Sequence, residues 1–307
     1  QYQGELSVLV QKIACEFQLG DVVSHQIIEI GYEDLNIKVT TSRDAYLIKI
    51  FGSFRDEENC KRYIEIMVKA IQRGVPHPKL YPSKNGDYLY KHDEHLMVCV
   101  MEYIEGNSFY DLHEWPTIEE AKTLIHEVSK INSIDIQIQN YYDEWSPVNF
   151  LKEFKEKGKY VKGEDYKRLE QLVDPFKTIQ FDKLRWGFAH SDIIRPNVLK
   201  DVDSKLYIID FSVSSNKPII QELSVLLCGM FFNENNFSHY PEYYQLILDE
   251  YRPKLNKFEV EAFPIFVKTV FAMFLMLGTY NKVTGKIDTK ENEYWIRLGK
   301  IGLTYIS

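Results

Sequence analysis

The sequence predicts an α+β, two-lobed protein: an N-terminal antiparallel sheet with one long helix, followed by a larger, mostly helical C-terminal lobe. Three observations carry this. Short β-rich runs separated by turn residues fill the first hundred positions, and helical periodicity dominates from Glu105 to the end. A short crossing, MEYIEG at 101–106, separates the two regimes. At 307 residues the chain is long enough for two lobes around one cleft. The division is drawn at 1–104 and 105–307, with the hinge at 101–106.

Residues 5–18 place Leu6, Leu9, Val10, Ile13 and Phe17 on one helical face, and Gly20 follows as a stop signal. VVSHQIIEI (22–30), LNIKVTT (35–41) and AYLIKIF (45–51) read as an antiparallel meander divided by GYED and SRD. From Asp56 to Arg73, Tyr63, Ile64, Met67, Val68 and Ile71 form the apolar stripe of a helix that GVPHP ends. Two more strands, around 87–90 and 96–102, are joined by the polar KHDEH. His92 and His95 there have no third ligand nearby, so a solvated hairpin tip is expected instead of a metal site. The most apolar run, FPIFVKTVFAMFLMLGTY (263–280), is broken by Pro264 and Lys268. It reads as a buried core helix, with Phe263, Phe266, Phe271 and Phe274 as core, and not as a membrane span.

Lys plus Arg total 37 against 45 Asp plus Glu, a formal charge of -8, which argues against nucleic-acid binding because phosphate neutralisation needs a basic surface. Cys15, Cys60, Cys99 and Cys228 form no close pair, so reduced thiols are expected instead of disulfides or zinc. QYQGELSVLVQKIACEF contains Glu5 and no basic stretch, so it does not read as a secretory signal. The expectation is a cytoplasmic protein without a membrane partner.

Within the helical half one segment is strand-like: HSDIIRPNVLKDVDSKLYIIDF, His190 to Phe211. It can be read as a hairpin with a two-residue turn at Asp203-Ser204, which sets Leu199 opposite Ile208, Val198 opposite Ile209 and Asn197 opposite Asp210. Opposed residues have Cβ atoms about 5 Å apart, close enough for both side chains to ligate one ion. Asp192 lies on the loop that enters this hairpin. Carboxylate and amide oxygens suit a hard cation such as Mg²⁺, which shares its shell with waters and substrate phosphates. Asp and Asn are also frequent strand terminators and turn residues, so these residues alone leave both readings open.

HSDIIRPNVL followed by LYIIDF resembles the H-x-D-x-x-x-x-N and D-F segments of protein-kinase-like phosphotransferases, most closely the aminoglycoside phosphotransferase and choline kinase group of small-molecule kinases. Further pieces agree in order: AYLIKIF, RYIEIMVKAIQRGVPHPKL and VCVMEYIEG resemble the lysine strand, the following helix and the adenine hinge. The resemblance implies a bilobal protein-kinase-like fold and transfer of a γ-phosphate from ATP or GTP to a hydroxyl. It implies Asp192 as the group that takes or orients the hydroxyl proton, and Asn197 and Asp210 as Mg²⁺ ligands. Lys49 would grip the nucleotide phosphates and pair with Glu65, or failing that Glu58. The Glu102 carbonyl and Ile104 amide would face adenine.

There are departures. No Gly-x-Gly-x-x-Gly is present; the loop after the first strand, EIGYEDLN, has only Gly31, and Asn36 is expected to assist near the phosphates. DFG is DFS, with Ser212, and no A-P-E segment follows, which favours a small-molecule acceptor over a protein substrate. Ser191 stands where the family usually has glycine. His190 is expected to brace the loop. Arg195 either reaches the transferred phosphoryl group or pairs with a carboxylate such as Glu222. The acidic balance and Asp143, Glu144, Glu234, Asp249 and Glu250 suggest a cationic acceptor, with an aminoglycoside expected first. Homoserine, choline or a sugar would be served by the same core. A protein kinase and a scaffold without chemistry are the competing readings.

Overall fold

Why the chain forms two bodies is visible in how its apolar residues are shared. The structure, a computed structural model, describes residues 5–28, 34–92, 96–138, 142–285 and 289–306. Two units result: residues 1–107 with 199–211, and residues 108–198 with 212–307. The sequence division at 104/105 does not anticipate that second entry into the first unit.

In the first unit, α1 (Leu6–Glu16), β1 (Val22–Ile28), β2 (Leu35–Thr41) and β3 (Ala45–Ile50) follow the expected order. They are followed by α2 (Glu57–Gln72), β4 (Leu80–Tyr81), β5 (Tyr90–Lys91), β6 (Met97–Glu102) and β7 (Gly106–Ser108). The sheet runs β1-β2-β3-β6-β4, with β5 also on β6, and its paired strands are antiparallel. Leu9, Val10, Ile13 and Ala14 of α1 pack with Ile37, Val39, Ile48, Ile50, Val98 and Val100 in one cluster. Strand side chains alternate faces, so Lys49, between Ile48 and Ile50, projects from the face opposite α1. Asn36 and Cys99 are its register neighbours. Asp56 caps α2 by accepting the Asn59 amide at 2.8 Å, and acidic Glu57 and Glu58 in the first turn suit the helix dipole.

The chain re-enters this unit as a hairpin, β9 (Val198–Asp201) and β10 (Leu206–Ile208), in a small sheet ordered β10-β9-β7. Gly106 is required there: a Cβ would lie 2.4 Å from the Lys200 carbonyl oxygen. The turn differs from expectation. The Ser204 amide donates to the Asp201 carbonyl and the Asp201 amide to the Lys205 carbonyl, each at 3.0 Å, and Ser204 has φ 63. This is a loop of Val202, Asp203 and Ser204, a tight turn closed by a left-handed residue. A two-residue turn needs Gly or Asn at its centre, which Asp203-Ser204 does not provide. The Asp201 carboxylate reinforces the longer loop by accepting the Asp203 and Lys205 amides at 2.9 and 2.8 Å. The register therefore shifts by one residue from the Asn197-opposite-Asp210 count. Asn197 ends a 3-10 turn and Asp210, with φ 66, follows β10, so neither is a ladder residue.

The second unit is helical: α3 (Ile118–Ile131), α4 (Phe150–Lys157) and α5 (Gly163–Lys177), then α6 (Ile219–Val225), α7 (Tyr240–Glu250), α8 (Lys257–Thr284) and α9 (Thr289–Tyr305). A two-stranded ribbon, β8 (Trp186–Ala189) with β11 (Ser215–Pro218), is antiparallel. WGFA and SNKP lack alternation, so sequence periodicity does not reveal these strands. Capping boxes at Thr117/Glu120 and Asn256/Glu259 start α3 and α8. By length and composition α8 is long and apolar enough to cross a membrane, but 72% of its apolar window is buried inside the protein. It packs against α9, α6, α5 and α4, with Phe263, Phe266 and Phe271 fully enclosed, as its sequence suggests for a core helix.

Candidate active site

In the first unit the β2–β3 register pairs Leu35 with Ile50, so Asp34 falls one step beyond, beside the end of β3. There its carboxylate accepts from Lys49 Nζ at 3.1 Å, from Arg55 Nε at 3.0 Å and from the Gly52 amide at 3.0 Å. All three side chains are nearly enclosed. On α2, the Tyr63 hydroxyl donates to Asp210 Oδ1 at 3.3 Å, and the Tyr63 ring lies 5.7 Å from Lys49 Nζ. Burial pushes the Lys49 ammonium down, but Asp210 and Asp34 outweigh it and hold its pKa above the ordinary lysine value. The lysine is thus charged, dry and fixed.

Glu65 is not its partner: it is exposed on α2, as is Glu58. The physical reason is periodicity, since Ile64, Ile66 and Met67 take the inward positions around it. Asp34 is the Lys49 partner that sequence reading missed, and counting the meander register one residue before β2 would have found it. Asn36 faces Lys49 across the strands. Gly31 and His95 lie outside the described residues.

At the end of β6 the Glu102 amide donates to the Lys79 carbonyl at 2.8 Å, while the Lys79 amide donates to the Glu102 carboxylate at 3.2 Å. The Glu102 main-chain carbonyl therefore stands outside that pair. Tyr103 returns to β3 through the Ala45 carbonyl at 3.3 Å, and Ile104 is buried.

In the second unit the loop after β8 holds Asp192 and Asn197. Asn197 Nδ2 donates to Asp192 Oδ2 at 2.7 Å and to the Asp192 carbonyl at 3.0 Å, so its Oδ1 takes no part in those two bonds. The Asp192 amide donates to His190 Nδ1 at 3.2 Å and the Ser214 hydroxyl to the His190 carbonyl at 3.1 Å. His190, fully buried, braces the loop as expected. Ser191 has φ 70, the left-handed region that accounts for glycine at this place in the family. Its amide donates to Glu222 Oε2 at 2.7 Å. Glu222 is fully enclosed, and burial pushes its carboxyl up to about 7 against the pull of the Ser191 and His190 amides.

Glu222 is therefore the loop's anchor and does not pair with Arg195. The Arg195 guanidinium lies 4.2 Å from the Trp115 ring centre and 5.7 Å from those of Tyr110 and Tyr294. Its Nη2 donates to the Tyr294 hydroxyl at 3.0 Å. Tyr110 and Trp115, from the segment between β7 and α3, and Tyr294 of α9 come to it from distant positions in the chain, which a local reading of RPN cannot reveal.

The acidic residues of this unit do not form one patch. Asp143 is buried, and burial raises its carboxyl to about 6, opposed by the Trp145 amide and Lys217. Glu144 pairs with Lys157. Asp249 accepts from Gln245 at 3.1 Å and Glu250 meets His126 at 3.3 Å. Among the described residues no group of three or more His, Cys, Asp or Glu side chains could hold a metal ion. Asn197 Oδ1 in the second unit and the Asp210 carboxylate in the first are each oxygen atoms, the donor type that a hard cation takes.

The model of the phosphotransferase enzyme family matches residues 24–255. A homoserine kinase from Methylobacillus flagellatus is 23% identical over 215 residues, 68% of this chain; the chain spans 64% of the length of that curated relative. Among solved structures, the amicoumacin kinase hAmiN in complex with AMP-PNP, Ca²⁺ and amicoumacin has a TM-score of 0.70 at 14% identity, covering 98% of this chain and 94% of its own. A spectinomycin phosphotransferase with ADP and spectinomycin has a TM-score of 0.69 at 14% identity, covering 98% of each chain. A choline kinase from Streptococcus pneumoniae has a TM-score of 0.64 at 14% identity, over 97% of this chain and 98% of the other. These solved structures share the protein-kinase-like fold expected from the sequence.

Proposed function

Because the chain belongs to the phosphotransferase enzyme family, we propose that it moves the γ-phosphate of ATP, or of GTP, onto a hydroxyl of a small amine-bearing molecule. The observation that carries this reading is the Asp192 carboxylate held by Asn197 at 2.7 Å on a loop braced by buried His190. Such a carboxylate is aimed and cannot rotate freely. Asp192 takes the hydroxyl proton as the acceptor oxygen bonds to the γ-phosphorus. The bond from that phosphorus to the bridging oxygen breaks, and the nucleoside diphosphate leaves with the electron pair.

Lys49 holds the nucleotide phosphates, with Asp34 fixing its position; the arrangement supplies orientation and charge without a covalent intermediate. The Glu102 carbonyl and Ile104 amide are the proposed adenine contacts, and Asn36 assists beside Lys49. Asn197 and Asp210 are the proposed ligands of Mg²⁺, which when bound neutralises polyphosphate charge. Four free cysteines suit a reducing compartment such as the cytoplasm.

An aminoglycoside remains the first acceptor to test, with an antibiotic-resistance role if it is used. Choline and homoserine, named for relatives, come next. The test is nucleoside diphosphate release from Mg-ATP and Mg-GTP over a panel of aminoglycosides, amino alcohols and hydroxy amino acids, run beside a thermal shift with each nucleotide. Acceptor-dependent release supports the reading. A nucleotide-induced shift without release on any acceptor points to a scaffold and counts against it.

A further inference from the structure

Arg195 is only 4% exposed, yet among the described residues no carboxylate lies within ion-pair distance of it. Among the described residues its guanidinium makes one hydrogen bond, to the neutral Tyr294 hydroxyl at 3.0 Å. The rings of Trp115, Tyr110 and Tyr294 attract the cation, but one phenol oxygen does not satisfy five planar N–H donors. A guanidinium in this state is suited to a planar, two-oxygen anion. It belongs to the same loop as Asp192, three residues on, so the anion it takes lies near the phosphoacceptor chemistry.

A second charge lies close by and is also incompletely satisfied. Trp115, stacked on Arg195, donates its Nε1 to the Phe232 carbonyl at 2.9 Å, and Glu234 is two residues further along. The Glu234 side chain is 4% exposed, and among the described residues Oε1 meets only the outward-lying Arg297, at 3.4 Å. Its buried Oε2 has no hydrogen-bond partner among the described residues. Burial raises the Tyr294 phenol pKa; Arg195 lowers it and Glu234 raises it, so both charges act on one hydroxyl. An anion site alone would explain Arg195 and leave Glu234 unexplained. A ligand carrying both an anion and a cation explains the two together.

We propose that Arg195, Tyr294 and Glu234 form a head-group subsite for a zwitterionic acceptor, a hydroxylated amino acid whose carboxylate lies on Arg195 and whose ammonium lies on Glu234. This rests on the small-molecule kinase reading and narrows its acceptor class: an aminoglycoside, a polycation without a carboxylate, leaves Arg195 unsatisfied.

The experiment uses the full chain with L-homoserine, L-serine and L-threonine as probes, each compared with its carboxamide, and with 3-aminopropanol, choline and spectinomycin. Binding is measured by calorimetry without nucleotide, and phosphorylation with Mg-ATP. At least one hydroxy amino acid is expected to bind about 10- to 100-fold more tightly than its carboxamide, the factor expected for a charge-assisted pair. Arg195→Met is expected to remove that difference, and Glu234→Gln to weaken the amino acid more than its des-amino hydroxy acid. The wild-type comparison of acid with amide decides the matter even where a variant fails to fold. Equal binding of acid and amide, no binding of any hydroxy amino acid, or tighter binding of spectinomycin or choline overturns the subsite. Phosphorylation of spectinomycin with indifference to carboxylates keeps the kinase reading and refutes the subsite. Carboxylate-dependent binding with no diphosphate release does the reverse.

Discussion

Replacing Asp34 by Ala is the sharpest perturbation of the proposed nucleotide contacts around Lys49. The substitution removes three hydrogen bonds at once, to Lys49, Arg55 and the Gly52 amide. It leaves two nearly enclosed cations, whose side chains are 10% and 8% exposed. Taking one partner from a buried ion pair costs about 3–5 kcal/mol, mainly because the remaining charge stays desolvated. Asp210 still faces Lys49, so the lower end of that range is expected. Urea unfolding of wild type and Asp34→Ala measures it, and a Mg-ATP titration is expected to show affinity reduced by about tenfold or more, equivalent to ~1.4 kcal/mol. Glu65→Ala is the control. Its exposed position predicts a change within about 0.5 kcal/mol and normal nucleotide affinity. If Glu65→Ala were the more damaging variant, or Asp34→Ala nearly silent, the assignment of the Lys49 partner would be wrong.

Two other outcomes follow from the loop that carries Asp192. Glu222 titrates at about 7 in the fold against an ordinary 4.5, so the folded state holds its proton more tightly than the unfolded chain. Its stabilising contribution is complete below pH 4.5 and is lost as pH rises through about 7, a loss of about 3 kcal/mol at most. Glu222→Gln keeps an acceptor for the Ser191 amide and should flatten the difference in unfolding free energy across that window; parallel pH curves would refute the anchor's raised pKa. Gly229 lies in the π-helical turn Leu226–Phe231, where a Cβ would come 2.3 Å from Ile194 Cγ2. Gly229→Ala should cost about 1–3 kcal/mol by overpacking and lower kcat through displacement of the neighbouring Asp192 segment. An alanine variant with unchanged melting temperature and kcat would show that Ile194 yields without moving the loop.

β2, β3, α1 and α2 were legible because each has one more buried face, and periods of 2 and 3.6 report that directly, whereas β1, with no buried residue, was legible from its β-branched composition and flanking turns. The hairpin at 198–208 was legible as a hairpin, but its register was not. The turn is decided by the Asp201 carboxylate and a left-handed Ser204, which hydrophobic pattern does not encode. His190, Asp192 and Asn197 could be read together because they are local in the chain. Lys49 with Asp34 joins two strands, Ser191 with Glu222 spans 31 positions, and Arg195 with Tyr294 spans 99. The β2–β3 register reaches the first of these, whereas the other two are products of packing for which single-sequence reading had no register. It therefore gave Glu65, or Glu58, to Lys49, and left Arg195 between the phosphoryl group and a carboxylate such as Glu222, where the structure has Asp34 beside Lys49 and an aromatic enclosure around Arg195.

The most direct measurement is phosphoryl transfer by wild type and Asp192→Asn, each with Mg-ATP and the acceptor panel, read by mass spectrometry of the acceptor. The account predicts that wild type adds one phosphoryl group to a hydroxyl-bearing acceptor and forms one ADP for each. It also predicts that Asp192→Asn loses about 10²–10⁴-fold in kcat while still binding Mg-ATP. Transfer by Asp192→Asn at the wild-type rate, or no acceptor modified by a wild-type chain that binds nucleotide, would contradict it.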